Sequence, residues 1–143
     1  MSTHAAAELF SALGQHLGIP ALALDPSGCC RLVFDGSRLV EMRLAPQRLL
    51  LCANVTGTLG TEQARLLLQA NAWGAGSAGG WFALSEQGSP CLHFALALEG
   101  VTAPQLLNQL ELLLNTVETW EQRLQQTTHH QPWQRIAEFS QRI

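Results

Sequence analysis

The stretch Cys29–Val55, CCRLVFDGSRLVEMRLAPQRLLLCANV, decides the fold. Cys30, Leu32 and Phe34 alternate with Cys29, Arg31 and Val33 up to Asp35-Gly36, a pair suited to a tight hairpin. Residues 38–44 read as the return strand, with Val40, Met42 and Leu44 on one face and Leu39, Glu41 and Arg43 on the other; Pro46 ends it. Residues 48–55 read as a third strand. Two of these strands are nearly apolar on both faces. The meander therefore needs a helix over one side, and a helix, a subunit or a ligand over the other.

Helical periodicity brackets this core. Leu9, Phe10, Leu13 and Leu17 predict a first helix over 4–17, stopped by Gly18-Ile19-Pro20. Ala21–Leu24 is short and extended, and Asp25-Pro26-Ser27-Gly28 is a turn. Downstream, Thr61 is the expected cap of a second helix over 62–73, with Glu62 in its first turn. Leu66, Leu67, Leu68, Ala70 and Trp73 make that helix apolar around much of its circumference, as in a helix buried on more than one side. The glycine-rich run 74–80 reads as a flexible connection to strands at 81–85 and 91–98. Thr102 then caps a long helix over 103–126, with Pro104 in its first turn and a stripe from Leu106 to Leu124. The reading is α+β, in the order α-β-β-β-α-β-β-α: a twisted antiparallel sheet with helices packed on it. Residues 1–126 form the domain. Residues 127–143 form a linker and a short amphipathic tail helix with Trp133, Ile136 and Ala137 on one side.

Composition narrows the function. Of 143 residues, 47% are hydrophobic and 26 are Leu, while only 13% are charged, about half the usual ~25%. Such a chain hides surface in an oligomer or against a partner. Net charge is −3, and all eight basic residues are Arg, scattered without a patch, which disfavours nucleic acid and anionic membranes as partners. No basic residue precedes Arg31, and apolar runs fall far short of the ~20 residues that span a bilayer, so the expectation is a soluble cytoplasmic protein. The four cysteines, Cys29, Cys30, Cys52 and Cys91, lack CxxC spacing and read as reduced, partly buried thiols.

Catalytic patterns are scarce. Asp25 and Asp35 both sit in turns. Cys91 and His93 share a strand face, the one arrangement that suits a metal or a nucleophile pair; the plainer reading is a half-buried strand. His16 falls on the solvated side of the first helix with His4 upstream, and His129-His130 lies in the linker. No HExxH, GxSxG or Walker spacing occurs, so no metal or cofactor is expected. Trp is enriched at interface hot spots, and Trp73 and Trp81 flank a loop beside the over-apolar second helix; together these point to a subunit interface.

Several stretches carry a family resemblance: Leu13-Gly14-Gln15-His16-Leu17-Gly18-Ile19-Pro20, Leu22 to Gly36, Leu67-Leu68-Gln69-Ala70-Asn71-Ala72-Trp73, Gly79-Gly80-Trp81-Phe82-Ala83-Leu84, and Val117-Glu118-Thr119-Trp120. In order and spacing over roughly residues 8–124 the chain resembles the class I type III secretion chaperones, the Tir-chaperone (CesT-like) family. The resemblance implies a homodimeric, non-enzymatic chaperone without nucleotide hydrolysis. It implies binding of the N-terminal chaperone-binding segment of a secreted effector, held extended and secretion-competent, with a secretion ATPase or a regulator as a further partner. Dimer contacts would fall on Leu66, Leu67, Ala70, Trp73 and Trp81. Effector contacts would come from Leu9, Leu13, Leu17, Leu22, Leu24, Leu32 and Phe34, some of them core instead. The proline often found before the second helix is missing from Thr58-Leu59-Gly60-Thr61, which leaves the start of that helix open. The tail after 126 goes beyond the shared pattern; packing on its own subunit, effector contact and disorder all remain open for it. Two other roles stay in view: a chaperone-like protein that sequesters a secretion regulator, and a small α+β enzyme using Cys91 and His93.

Overall fold

The computed structural model describes residues 3–128; the expected tail helix and the His129-His130 pair lie outside the described residues. The elements are α1 (Thr3–Leu17), β1 (Cys29–Phe34), β2 (Arg38–Ala45), β3 (Arg48–Asn54), α2 (Thr61–Ala70), β4 (Trp81–Leu84), β5 (Pro90–Ala97) and α3 (Ala103–Thr128). This is the expected element order. The strands form one five-stranded antiparallel sheet, β1-β2-β3-β5-β4. Because β5 lies beside β3, the chain leaves β3, builds α2 and enters the sheet again at its far edge as β4.

Local chemistry sets the turns. Asp35 and Gly36 both take positive φ (52° and 78°), as a primed hairpin turn requires, and the Ser37 N–H donates to the Phe34 carbonyl at 3.2 Å. Asp25 is a turn residue, as expected. Its Oδ1 accepts from the Ser27 hydroxyl (2.6 Å), the Ser27 N–H (2.9 Å) and the Cys29 N–H (2.9 Å). The Ser27 hydroxyl, then the Cys29 N–H, hold this carboxyl below its ordinary range. Thr102 caps α3 reciprocally: its Oγ1 accepts from the Gln105 N–H (3.3 Å) while Gln105 Oε1 accepts from the Thr102 N–H (3.0 Å).

The sheet packs in register rows. Cys30, Met42, Leu51 and Phe94 align across four strands, as do Leu32, Val40, Ala53, Leu92 and Phe82 across five. All are buried, and they meet Leu9, Phe10 and Leu13 of α1 and Leu106, Leu110, Leu113 and Val117 of α3. The opposite face carries the row Arg31, Glu41, Cys52, His93 and Trp81, with Val33 and Leu39 exposed beside it. Cys30 and Cys29 thus take opposite faces, as alternation demands, and all four thiols are free.

Three expectations need correction. Gly60, not Thr61, is the residue before α2, and the Gly60 N–H donates to Gln63 Oε1 at 2.9 Å; with no side chain at the cap, the return bond from the third helical residue closes the turn. The helix ends at Ala70 rather than 73. The Asn71 N–H goes to the carbonyls of Leu67 and Leu68, and Ala72–Gly74 is a separate 3₁₀ turn in which Trp73 has φ 58°. Finally, the glycine-rich run is not a loose connection. Gly74, Ala75, Gly76, Gly79 and Gly80 each donate a backbone hydrogen bond within 70–80, and the buried Ser77 hydroxyl donates to the Gly80 carbonyl at 2.6 Å. Gly80 must be glycine for space: a Cβ there would meet the His93 carbonyl and the Phe94 ring.

Arg38 of β2 and Glu121 of α3 join the sheet to the last helix through a bidentate pair (2.7 and 3.1 Å), and Glu121 also accepts from the Thr56 N–H at 2.8 Å. Burial pushes the Glu121 carboxyl up, but the Arg38 guanidinium and the Thr56 N–H outweigh it, and its pKa is lowered. A depressed carboxyl contributes stability that is complete above its unfolded-state pKa of ~4.3 and is lost as pH falls through the lower folded-state value. Glu121→Gln is therefore expected to cost about 1–3 kcal/mol at pH 7, with the gap to the parent closing as pH drops below ~4. Urea denaturation at a series of pH values checks this.

Candidate functional site

The two edges of the sheet differ. The Leu44 N–H donates to the Gly28 carbonyl at 2.8 Å, so Cys29 and Arg43 form a non-hydrogen-bonded pair and the bonded partners of β2 are Cys30, Leu32 and Phe34. The backbone groups of Cys29, Arg31 and Val33 face outward. Asp25 takes both of those on Cys29, accepting from its N–H and donating its own N–H to the Cys29 carbonyl at 2.7 Å. Arg31 and Val33 are left presenting N–H and C=O on an edge that no other described strand covers. At the opposite edge the Asn71 side chain imitates a strand: Oδ1 accepts from the Phe82 N–H (2.7 Å) and Nδ2 donates to the Phe82 carbonyl (3.1 Å). One edge is open and the other is partly closed by a side-chain amide.

Apolar surface lies beside each edge. Near β1, Leu17, Leu22, Leu24 and Phe34 are half-buried against the core, while Leu9, Leu13 and Leu32 are inside it. The structure thus divides the residues of the effector set into half-buried side chains and buried ones that belong to the core. Val33 (61% exposed) and Leu39 (40%) lie exposed on the sheet face that also carries Arg31, Glu41 and Arg43.

Near β4, Leu67 and Ala70 are buried within the chain, Leu66 is half-buried, and Trp73 and Trp81 are exposed. Trp73 is wholly in solvent (102%), in a left-handed backbone conformation that costs about 1–2 kcal/mol for a residue with a Cβ. Leu68 (71% exposed) and Leu84 flank a groove of about 190 Å³ with Leu59, Leu67 and Phe82. Sequence reading missed Leu68 and Leu84 as surface residues; the only signal for Leu68 is its place in the Leu66-Leu67-Leu68 run, where three consecutive helical positions cannot all face inward. Trp120, in contrast, is core: its indole N–H donates to the Gly76 carbonyl at 2.7 Å, and its ring meets Phe82 edge-on.

The thiols and histidines offer little nucleophilic chemistry. Burial pushes the Cys52 thiol up to about 12 and raises Cys91, and burial lowers His93, so the reactive thiolate is scarce at neutral pH. His4 pairs with Glu8 one helical turn away on the surface, and His16 is exposed. No helix among the described residues is long and apolar enough to cross a membrane.

A family model described as the Tir chaperone protein (CesT) family matches residues 8–121. The crystal structure of the ExsC-ExsE complex contains a similar chain: 29% identity, TM-score 0.77, covering 85% of this chain and 95% of that one. The HopA1-SchA chaperone-effector complex matches at 21% identity and TM-score 0.72, over 85% of this chain and 98% of that one. The Yersinia pestis type III secretion chaperone SycH, solved with a stable fragment of YscM2, matches at 18% identity and TM-score 0.68, over 80% and 98%. The last two show likeness of fold alone. No curated protein sequence matches significantly.

Asn71 sets both the β4 edge and the start of the turn that holds Trp73. Asn71→Ala removes two part-buried hydrogen bonds and is expected to lower stability by about 1–3 kcal/mol. Chemical denaturation measures the loss, and faster amide exchange at Phe82 locates it.

Proposed function

The chain belongs to the Tir chaperone protein (CesT) family, and on that premise we propose that it is a cytoplasmic, non-enzymatic type III secretion chaperone. It binds the N-terminal chaperone-binding segment of a secreted effector and keeps that protein soluble and secretion-competent. The observation that carries the reading is the open β1 edge at Arg31 and Val33, with half-buried Phe34 on the same strand and half-buried Leu22 and Leu24 in the segment that leads into it. An extended segment that adds as a strand gains main-chain hydrogen bonds there. Its alternate side chains gain apolar contacts that set specificity. Ordering such a segment costs several kcal/mol, which favours a long wrapped interface over a single pocket. The reading agrees with similar structures, a chaperone-effector complex and a secretion chaperone with a bound fragment.

The working unit in this proposal is a homodimer joined through the α2–β4 end. Leu68, Trp73, Trp81 and Leu84 are exposed there, and a left-handed, fully exposed Trp is costly unless something covers it. Leu66 adds to the contact, while Leu67 and Ala70 hold the helix in place from within. Residues 1–126 are the binding domain, and a secretion ATPase or a regulator is a further partner.

Two experiments test these statements. Tagged protein recovered from its native bacterium is expected to bring down one secreted protein through its N-terminal segment. Arg31→Pro removes an outward N–H from an edge strand, so the chain is expected to stay folded while affinity for that segment drops at least about tenfold. Recovery of a transcriptional-control protein instead would assign the chain to a regulatory role. For the dimer, light scattering at micromolar concentration is expected to give twice the chain mass. Leu68→Asp with Trp73→Ser is expected to give a folded monomer by circular dichroism. A parent protein that is monomeric throughout would overturn the dimer.

A further inference from the structure

The outer face of the sheet holds a cluster that strand addition does not use, beside Trp81 of the proposed dimer contact. Cys52 of β3 stands directly opposite His93 of β5, and Cys91 precedes His93 by two residues on the same face. The two thiol sulfurs and an imidazole nitrogen lie within 4.8 Å of one another. Cys91 is buried and Cys52 and His93 are half-buried. Trp81 stacks flat on the His93 ring, with centroids 5.4 Å apart and planes 7° apart, which fixes the imidazole. Nδ1 of His93 is buried without a hydrogen-bond partner, a condition that native interiors avoid because it costs about 1–3 kcal/mol. A plain core histidine would have that atom satisfied. A cation held by the two sulfurs and bound to the imidazole through Nδ1 would satisfy it.

We propose that Cys52, Cys91 and His93 form a binding site for a thiophilic divalent cation of the zinc type. Two thiolates and one imidazole are a donor set zinc accepts, and a tetrahedral ion would keep its fourth position for water. Binding is a ligand exchange without redox change. Each thiol loses its proton as its sulfur bonds the ion, so two protons leave per ion bound. The site would clamp β3 to β5 at the end of the sheet where Trp81 lies, so occupancy would stiffen that end without joining the strand-addition surface at β1.

Co²⁺ titration of the full chain under reducing conditions is the test. The expected result is one Co²⁺ per chain with a thiolate-to-metal charge-transfer band, displaced by Zn²⁺, with two protons released per ion. Cys52→Ser is expected to weaken binding by more than the ten- to hundredfold typical of losing a supporting hydrogen bond. His93→Gln is expected to do the same while keeping both thiols. Cys91→Ser serves as a third variant if its circular dichroism matches the parent. Cys29→Ser, on the same face but outside the cluster, is expected to leave binding unchanged. Absence of the band in the folded parent, or its survival in both Cys52→Ser and His93→Gln, overturns the site.

Discussion

α1 and α3 occupy a single face of the sheet, and the rest of the molecule follows from that. Phe10, Leu13, Leu106, Leu110 and Leu113 meet Val40, Met42, Leu49, Leu51 and Leu92, and all ten are fully buried. Each large side chain of this kind contributes roughly 1.5–3 kcal/mol when removed from water, so this layer dominates the stability of the domain. The other face must manage with what alternation leaves: a few charges, half-buried thiols, and apolar side chains open to contact. The Arg38–Glu121 pair keeps α3 in place over the sheet and thereby keeps the opposite face free.

The same arrangement makes the two ends of the sheet unlike. At β1, Asp25 closes the first pair of edge groups and no further, so the edge beyond it stays available for pairing. At β4, Asn71 closes Phe82, and the hydrogen-bonded run 70–80 ties the segment to Trp120 in α3. An edge that accepts a strand needs free backbone groups beside apolar surface. In the proposed dimer, the end that accepts a second copy needs a rigid, convex apolar feature, and a strained turn presenting Trp73 is such a feature. Family membership agrees with a molecule built to bind protein by its surfaces.

Much of this was legible from residue order. Period-two alternation around Asp35-Gly36 placed β1 and β2, and their pairing followed because a one-residue slip would turn Val40 and Met42 to solvent. Thr102 as cap, with Pro104 in the first turn, started α3 where it starts. The end of α2 was not legible, because Leu66 to Trp73 keeps a helical apolar pattern through a point where the chain leaves the helix. Asn71 satisfies β4 through Phe82, further along the chain, and Trp73 turns left-handed there. The run 74–80 looked loose because glycine carries no sign of its partners; its order comes from bonds to Ala70, Ser77 and Trp120.

By itself the sequence determined the element order, the two alternating faces of β1 and β2, the absence of a familiar catalytic motif and the excess of apolar side chains over what one core absorbs. Those are properties of local periodicity and composition, which each segment carries wherever it is placed. Only the tertiary structure decided which leucines of the α1–β1 and α2 sets lie on the surface, which edge is open, and that Cys52 joins Cys91 and His93. These depend on which strands become neighbours. β5 inserts between β3 and β4, and that long-range pairing brings residues 52 and 93 face to face.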